Sequence, residues 1–293
     1  MDYIYFLQLT ANGLVIGLIY ALIAVGLALL FGVLGIVNFA HGELLLIGAY
    51  AMAIALPAFG LAYIPGVIVA VLTAIIAGWF IYEVFLSKLG HGEFERSILI
   101  TMGLSIVILN GIQYIFTATP LLVNTEFGYA GVSIGDIRVA WTRIAAAVLS
   151  AVTFAALYVL LNYTQIGRAM RAVSQNRDAA LMVGMQPRKI GRNAVILAAS
   201  LCGLAGAAVA PVQLVQPYLG QFLVFKAFAI IIIGGMGSIE GAVFAAIALG
   251  VIESWIGGFF PVVWQEAAGF IIMITVLMLK PSGLFSRGGM RVG

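Results

Sequence analysis

Charge is what this chain of 293 residues has least of: Asp, Glu, Lys and Arg make up 9% of it, against 63% hydrophobic residues. With a mean hydropathy of +1.16, so much apolar surface cannot be hidden inside one water-facing globule. Cysteine is nearly absent too. Cys202 stands alone among the small residues of "AASLCGLAGAA", which excludes an internal disulfide or a Cys-based metal centre and reads as a packing position. The two histidines, His41 and His91, each open a "HGE". An intramembrane zinc protease needs two His one helical turn apart with a Glu between them, and neither His is followed by that pattern. A catalytic triad would have to use one of only two His, and no Lys follows a Gly, so there is no phosphate-binding P-loop. The chain is therefore not expected to be an enzyme or to hold a cofactor or metal. No nucleic-acid partner is expected, and any use of ATP must come from another subunit.

What the chain does have is long uncharged runs, as between Asp2 and His41 and between Glu43 and Glu83. Backbone groups in hydrocarbon must pair within their own segment, and these runs are continuously apolar rather than alternating, so they predict helices, not a barrel. No basic region precedes the first run, which is also too long for a signal peptide, so it reads as a retained membrane segment. Cutting at charges, Pro and turn signals gives spans near 10–35, 43–59, 64–86, 97–117, 143–162, 193–214, 222–236, 240–258 and 262–279. The expected fold is all-α: a single membrane domain over 1–293 with eight or nine transmembrane helices. The count depends on whether the segments flanking "GGMGS" (234–238) are whole or half helices.

Basic residues set the orientation. The loop 163–192 carries Arg168, Arg171, Arg177, Arg188, Lys189 and Arg192 against Asp178 alone, and the tail adds Lys280, Arg287 and Arg291. Both are expected on the cytoplasmic side, which places 83–97 inside and the N-terminus and 117–142 outside. Glu126 and Asp136 agree with an outer 117–142; Arg138 and Arg143 oppose it.

Polar residues inside the oily spans are few. "IVNFAHGELLLIGAY" gathers Asn38, His41 and Glu43. One reading is structural: Asn38 caps a helix starting at Phe39, with the acid in its first turn. The other is functional: the three line a water-filled route or a gate, because ionisable groups at membrane depth usually face a cavity or a partner. A third, an intramembrane enzyme using His41 and Glu43, has the motifs above against it. The second "HGE", at His91, reads as a solvated turn. A weak echo links "FGVLGIVNFAHGELLLIGAY" to "IGGMGSIEGAVFAAIALGV", each a Gly-broken segment followed by a helix with an early acid, Glu43 or Glu240. Paired interrupted segments of that kind often mark a translocation path.

The basic loop is longer than a connection requires. Its core, "AMRAVSQNRDAALMVGM", reads as an amphipathic helix with Met170, Val173, Leu181 and Met182 on one face and Arg171, Arg177 and Asp178 kept wet. It would either lie on membrane lipid or dock to a protein partner.

Three blocks, "GLIYALIAVGLALLFGVLGIVNFAHGELLLIGAY" (17–50), "IGRAMRAVSQNRDAALMVGMQPRKIGRNAVILAASLCGLAGA" (166–207) and "IIIGGMGSIEGAVFAAIALGVIE" (231–253), resemble the LivH-type permease of branched-chain amino acid ABC transporters. The resemblance implies a bacterial inner-membrane subunit that pairs with a LivM-like permease, two cytoplasmic ATPase subunits and a periplasmic substrate-binding protein. Permeases of the same family for urea or short amides have similar blocks, and a stand-alone small-solute channel is the other rival. ABC importers carry a loop pattern of Glu-Ala-Ala, three residues, Gly, nine residues and Ile-x-Leu-Pro that docks into the ATPase. Asp178, Ala179, Ala180 and Gly184 fit its first half, and the resemblance extends the coupling set to Arg171 and Arg177. The second half departs, with Ala194 where Ile is expected, Ile196 two residues late and Pro187 interposed.

Overall fold

The computed structural model describes residues 3–89, 93–128, 130–135 and 137–285. Asp2, His91, Gly92, Asp136, Arg287 and Arg291, all invoked above, lie outside the described residues. The helices are α1 (Tyr3–Leu34), α2 (His41–Phe59), α3 (Tyr63–Val84), α4 (Phe94–Phe116), α5 (Trp141–Tyr163), α6 (Gln165–Gln175), α7 (Arg177–Met182), α8 (Pro187–Val209), α9 (Leu219–Gly234), α10 (Ile239–Phe259) and α11 (Val262–Leu279), with a 3-10 turn at Leu86–Lys88. Among the described residues eight helices are long and apolar enough to span a bilayer, and α9 is a shorter apolar helix of 16 residues. The chain is a multi-pass membrane protein, and the break at "GGMGS" separates α9 from α10.

Two expectations about boundaries need correction. The helix expected from 193 begins at Pro187, because proline lacks an N–H and so suits the first helical position, where none is needed. The expected loop 117–142 contains a hairpin, β1 (Gly131–Ile134) paired antiparallel with β2 (Ile137–Ala140), in register Gly131 with Ala140. Gln8 of α1 completes its edge: its amide donates to the Arg138 carbonyl and accepts from the Arg138 N–H, both at 2.9 Å.

The core is built around α1, a 32-residue helix whose length of about 48 Å exceeds the roughly 30 Å of a hydrocarbon layer. It packs most extensively on α10 and also against α8, α9 and α5, while α3 and α2 lie on α8. Lipid is as apolar as leucine, so helices in a membrane associate through close packing of small residues rather than through burial from water. The α1–α10 contact works this way: a Cβ on Gly13 would lie 2.7 Å from the Val251 Cα, and one on Gly17 2.7 Å from the Ile247 Cα. At the other end of α9, the tail supplies the missing donors: Leu284 N–H reaches the Ile233 carbonyl (2.8 Å) and Phe285 N–H the Gly234 carbonyl (3.0 Å).

α4 is attached differently. Its principal helical neighbour is α2, and most of its surface is exposed.

The glycine contact can be tested by substitution. Gly17→Val is expected to destabilise the protein by about 1–3 kcal/mol through overpacking. Gly103→Ala on exposed α4, where a Cβ meets nothing within 4 Å, should change stability little or raise it by up to about 1 kcal/mol. Thermal melts of detergent-purified protein measure both; equal melting temperatures for Gly17→Val and wild type would contradict the packing account.

Candidate functional site

The residues singled out in "IVNFAHGE" do come together, but not as a cap. α2 starts at His41, and its flanking residue Ala40 makes no side-chain cap hydrogen bond. Asn38 therefore does not cap the helix. It is 1% exposed, and neither its amide nitrogen nor its amide oxygen has a hydrogen-bond partner among the described residues. The backbone leaves α1 through Gly35, whose φ of 66° is a left-handed conformation that suits glycine.

His41 and Glu43 are two residues apart on a helix and so point to different sides of α2. His41 enters the core between α1 and α8: Nε2 lies 3.1 Å from the Ile23 carbonyl and 3.2 Å from the Cys202 Sγ, and that thiol donates to the His41 carbonyl at 3.3 Å. The imidazole packs where α1 has Gly26, and a Cβ at that position would come 2.9 Å from Nε2. This is a ring whose polar atoms are used, locking three helices. Glu43 is fully buried and turns toward α4, where Oε1 accepts from Ser105 Oγ at 2.8 Å. Its Oε2 has no partner among the described residues. Glu240 lies in the first turn of α10, behind Ser238, whose side chain accepts from the Gly241 N–H, and it is exposed.

The echo between the two Gly-broken segments has a spatial counterpart. The second break carries Gly235 at φ 105° and Gly237 at φ 82°, and Gly237 lies against Gly32, just before the first break.

The basic loop folds as two short helices, not one. Asn176 separates them, accepting from the Ala179 N–H at 2.9 Å and so capping α7. This splits the expected apolar face: Met170 and Val173 are buried, whereas Leu181 and Val183 are exposed and Met182 is 88% exposed. Asp178, Ala179 and Gly184 are exposed beside them, and Ala180 is buried. Arg171 is not a free docking cation, since its guanidinium donates to the Leu161 carbonyl at the end of α5. The whole unit is anchored on α3: Tyr82 Oη donates to the Arg188 carbonyl at 2.7 Å, and Glu83 pairs with Arg188 at 3.3 Å and Arg192 at 3.7 Å. A cleft of about 180 Å³ opens between α6 and α8, and a smaller one between α3 and Arg177; neither includes Asn38, His41 or Glu43.

Residues 9–279 match the family described as branched-chain amino acid transport system, permease component. The chain belongs to that family. It is 26% identical to the high-affinity branched-chain amino acid transport system permease protein LivH of Salmonella typhimurium, over 98% of this chain and 97% of LivH. It is 30% identical to the corresponding protein BraD of Pseudomonas aeruginosa, over 97% and 96%. LivM of Escherichia coli is 27% identical over 91% of this chain and 68% of LivM. No solved structure matches it.

The permease has a further buried polar group that sequence reasoning passed over. Lys226 of α9 and Glu253 of α10, exposed by 5% and 1%, form an ion pair of 2.6 Å. Tyr20 of α1 donates to the same Glu253 oxygen at 3.0 Å, and the ammonium lies over the Tyr20 and Phe222 rings. The signal was available: each charge interrupts an otherwise apolar helix, and such charges at membrane depth need each other. Removing one partner strands the other. Lys226→Met is therefore expected to cost about 3–5 kcal/mol, and Lys226→Met combined with Glu253→Leu to recover most of it. Thermal unfolding of the three proteins checks this; additive losses in the double variant would contradict the pair.

Proposed function

We propose that this permease is the membrane-spanning subunit of an ATP-binding-cassette importer that moves branched-chain amino acids across a bacterial inner membrane. The observation that carries the reading is likeness along nearly the whole chain to proteins named as branched-chain amino acid permeases in two bacteria. Likeness to LivM as well supports pairing with a second, LivM-like permease. The chain has no nucleotide-binding motif, so two cytoplasmic ATPase subunits supply the energy and a periplasmic binding protein supplies the substrate. Loop 163–192 is the coupling segment, and its docking surface is the α7 tip: Asp178, Ala179, Leu181, Met182 and Gly184. Gly184 holds φ 80°, which turns the chain from α7 back toward α8. ATP-driven closure of the partners would push on this tip and, through Tyr82 and Glu83, on α3 and α8.

The reading predicts two results. The chain alone in liposomes should carry no leucine flux, whereas the chain with its permease partner, ATPases and binding protein should do so on addition of ATP; ATP-independent flux by the chain alone would establish a facilitator instead. In the assembled importer, Ala179→Trp and Met182→Asp lie on an exposed surface and should spare folding. They should lower uptake per ATP hydrolysed about tenfold or more. Unchanged uptake would remove the coupling surface.

A further inference from the structure

Seven buried side-chain polar atoms lack a hydrogen-bond partner among the described residues, and four of them share one place: Asn38 Nδ2 and Oδ1, Glu43 Oε2 and Tyr50 Oη. Glu43 and Tyr50 meet α4 across its seam with α2, and the backbone on both sides of Asn38 meets Thr101 of α4. Phe39 N–H donates to Thr101 Oγ1 of α4 at 3.1 Å, directly beside Asn38. Glu43 is held to Ser105, one turn further along α4. Tyr50 follows Glu43 at two helical turns on α2, and its ring stacks on Phe116 of α4 with centroids 5.3 Å apart. Buried polar atoms without partners are costly, so a run of them on one seam needs an explanation other than stability.

We propose that this seam is the track along which the zwitterionic head group of an amino acid crosses the permease, with α4 as the wall that moves to admit it. An ammonium brings three N–H donors, which Asn38 Oδ1, Glu43 Oε2 and the Tyr50 oxygen can accept one after another as it passes. A carboxylate accepts in turn from Asn38 Nδ2, close to the start of α2, where peptide dipoles favour negative charge, and from the Tyr50 hydroxyl further along the helix. Ile108 and Ile112 follow Ser105 at helical spacing on α4 and offer apolar contact to an aliphatic side chain. The seam is closed in this structure, since Asn38 and Glu43 are inaccessible, and α4 is tied across it by the Thr101 and Ser105 hydroxyls and the Phe116 ring. The inference rests on the importer reading and gives that reading its substrate contacts.

Asn38→Leu is the decisive variant, because it keeps the side-chain shape and deletes two unpartnered polar atoms. In the assembled importer in proteoliposomes it should raise the melting temperature and lower [14C]leucine uptake about tenfold. Glu43→Gln serves as the second variant: a leucine-dependent carboxyl band in infrared difference spectra of the wild-type assembly should disappear in it. Normal uptake by Asn38→Leu, or the same band produced by sodium ions without leucine, would overturn the track. Absence of leucine uptake by the wild-type assembly would overturn the importer reading and the track together, so the two failures are distinguishable.

Discussion

Hydrocarbon supplies no hydrogen bonds, and that one constraint orders the rest of this structure: a polar group inside the bilayer must find its partner in the protein. Helices satisfy the backbone of each span. Where α9 stops at the Gly-rich break, two N–H groups from the tail meet its last carbonyls. Where β2 would leave an open edge, the Gln8 amide closes it. Lys226 and Glu253 are tolerated because each is the other's counter-ion and Tyr20 adds a third contact. These pairings draw α1, α9 and α10 into one body, and glycine faces on α1 and α10 bring the backbones close enough for dispersion to do what the hydrophobic effect cannot do in lipid. His41 extends the same body to α2 and α8 through Ile23 and Cys202.

The α2–α4 seam departs from that pattern most: four of the seven buried side-chain polar atoms without a partner among the described residues belong to it, the other three being single atoms of Thr125, Arg143 and Glu253. On one side of α2, His41 is engaged by Ile23 and Cys202; on the other, Glu43, Tyr50 and neighbouring Asn38 retain atoms with no partner among the described residues. A packed body with a lightly tied helix beside it is the arrangement that alternating access needs: one part holds its shape while another rocks. The coupling segment fits the same division, since Tyr82 and Glu83 fasten it to the packed side, at α3 and α8, and leave the α7 tip exposed.

Much of this was legible in the sequence. Uncharged runs located the spans, because a bilayer's thickness sets their length independently of tertiary detail. Glycine and asparagine marked the break before α2, and "RDAALMVG" marked the coupling tip. What was illegible depended on distant partners. Asn38 looked like a cap because asparagine usually is one, but the helix starts three residues later and its amide has no partner among the described residues. Lys226 and Glu253 lie 27 residues apart on different helices, so their pairing appears only once α9 folds back along α10. The β1–β2 hairpin was hidden in a stretch judged by its charges rather than by its alternating "VSIGDIRVA". Continuous amphipathic spacing masked the division of α6 from α7, where the Asn176 cap prevails.

The central claim, a fixed body with α4 as its moving wall, can be tested by spin-label distances in the assembled importer with and without trapped ATP. Labels at Phe59 on α2 and Tyr114 on α4, both exposed and near the same end of the seam, report the wall; labels at Leu14 on α1 and Phe259 on α10 report the body. The account predicts a change of several ångströms, up to about one helical turn, between Phe59 and Tyr114, with the Leu14 to Phe259 distance unchanged. A constant Phe59 to Tyr114 distance, or an equal change in both pairs, would contradict it.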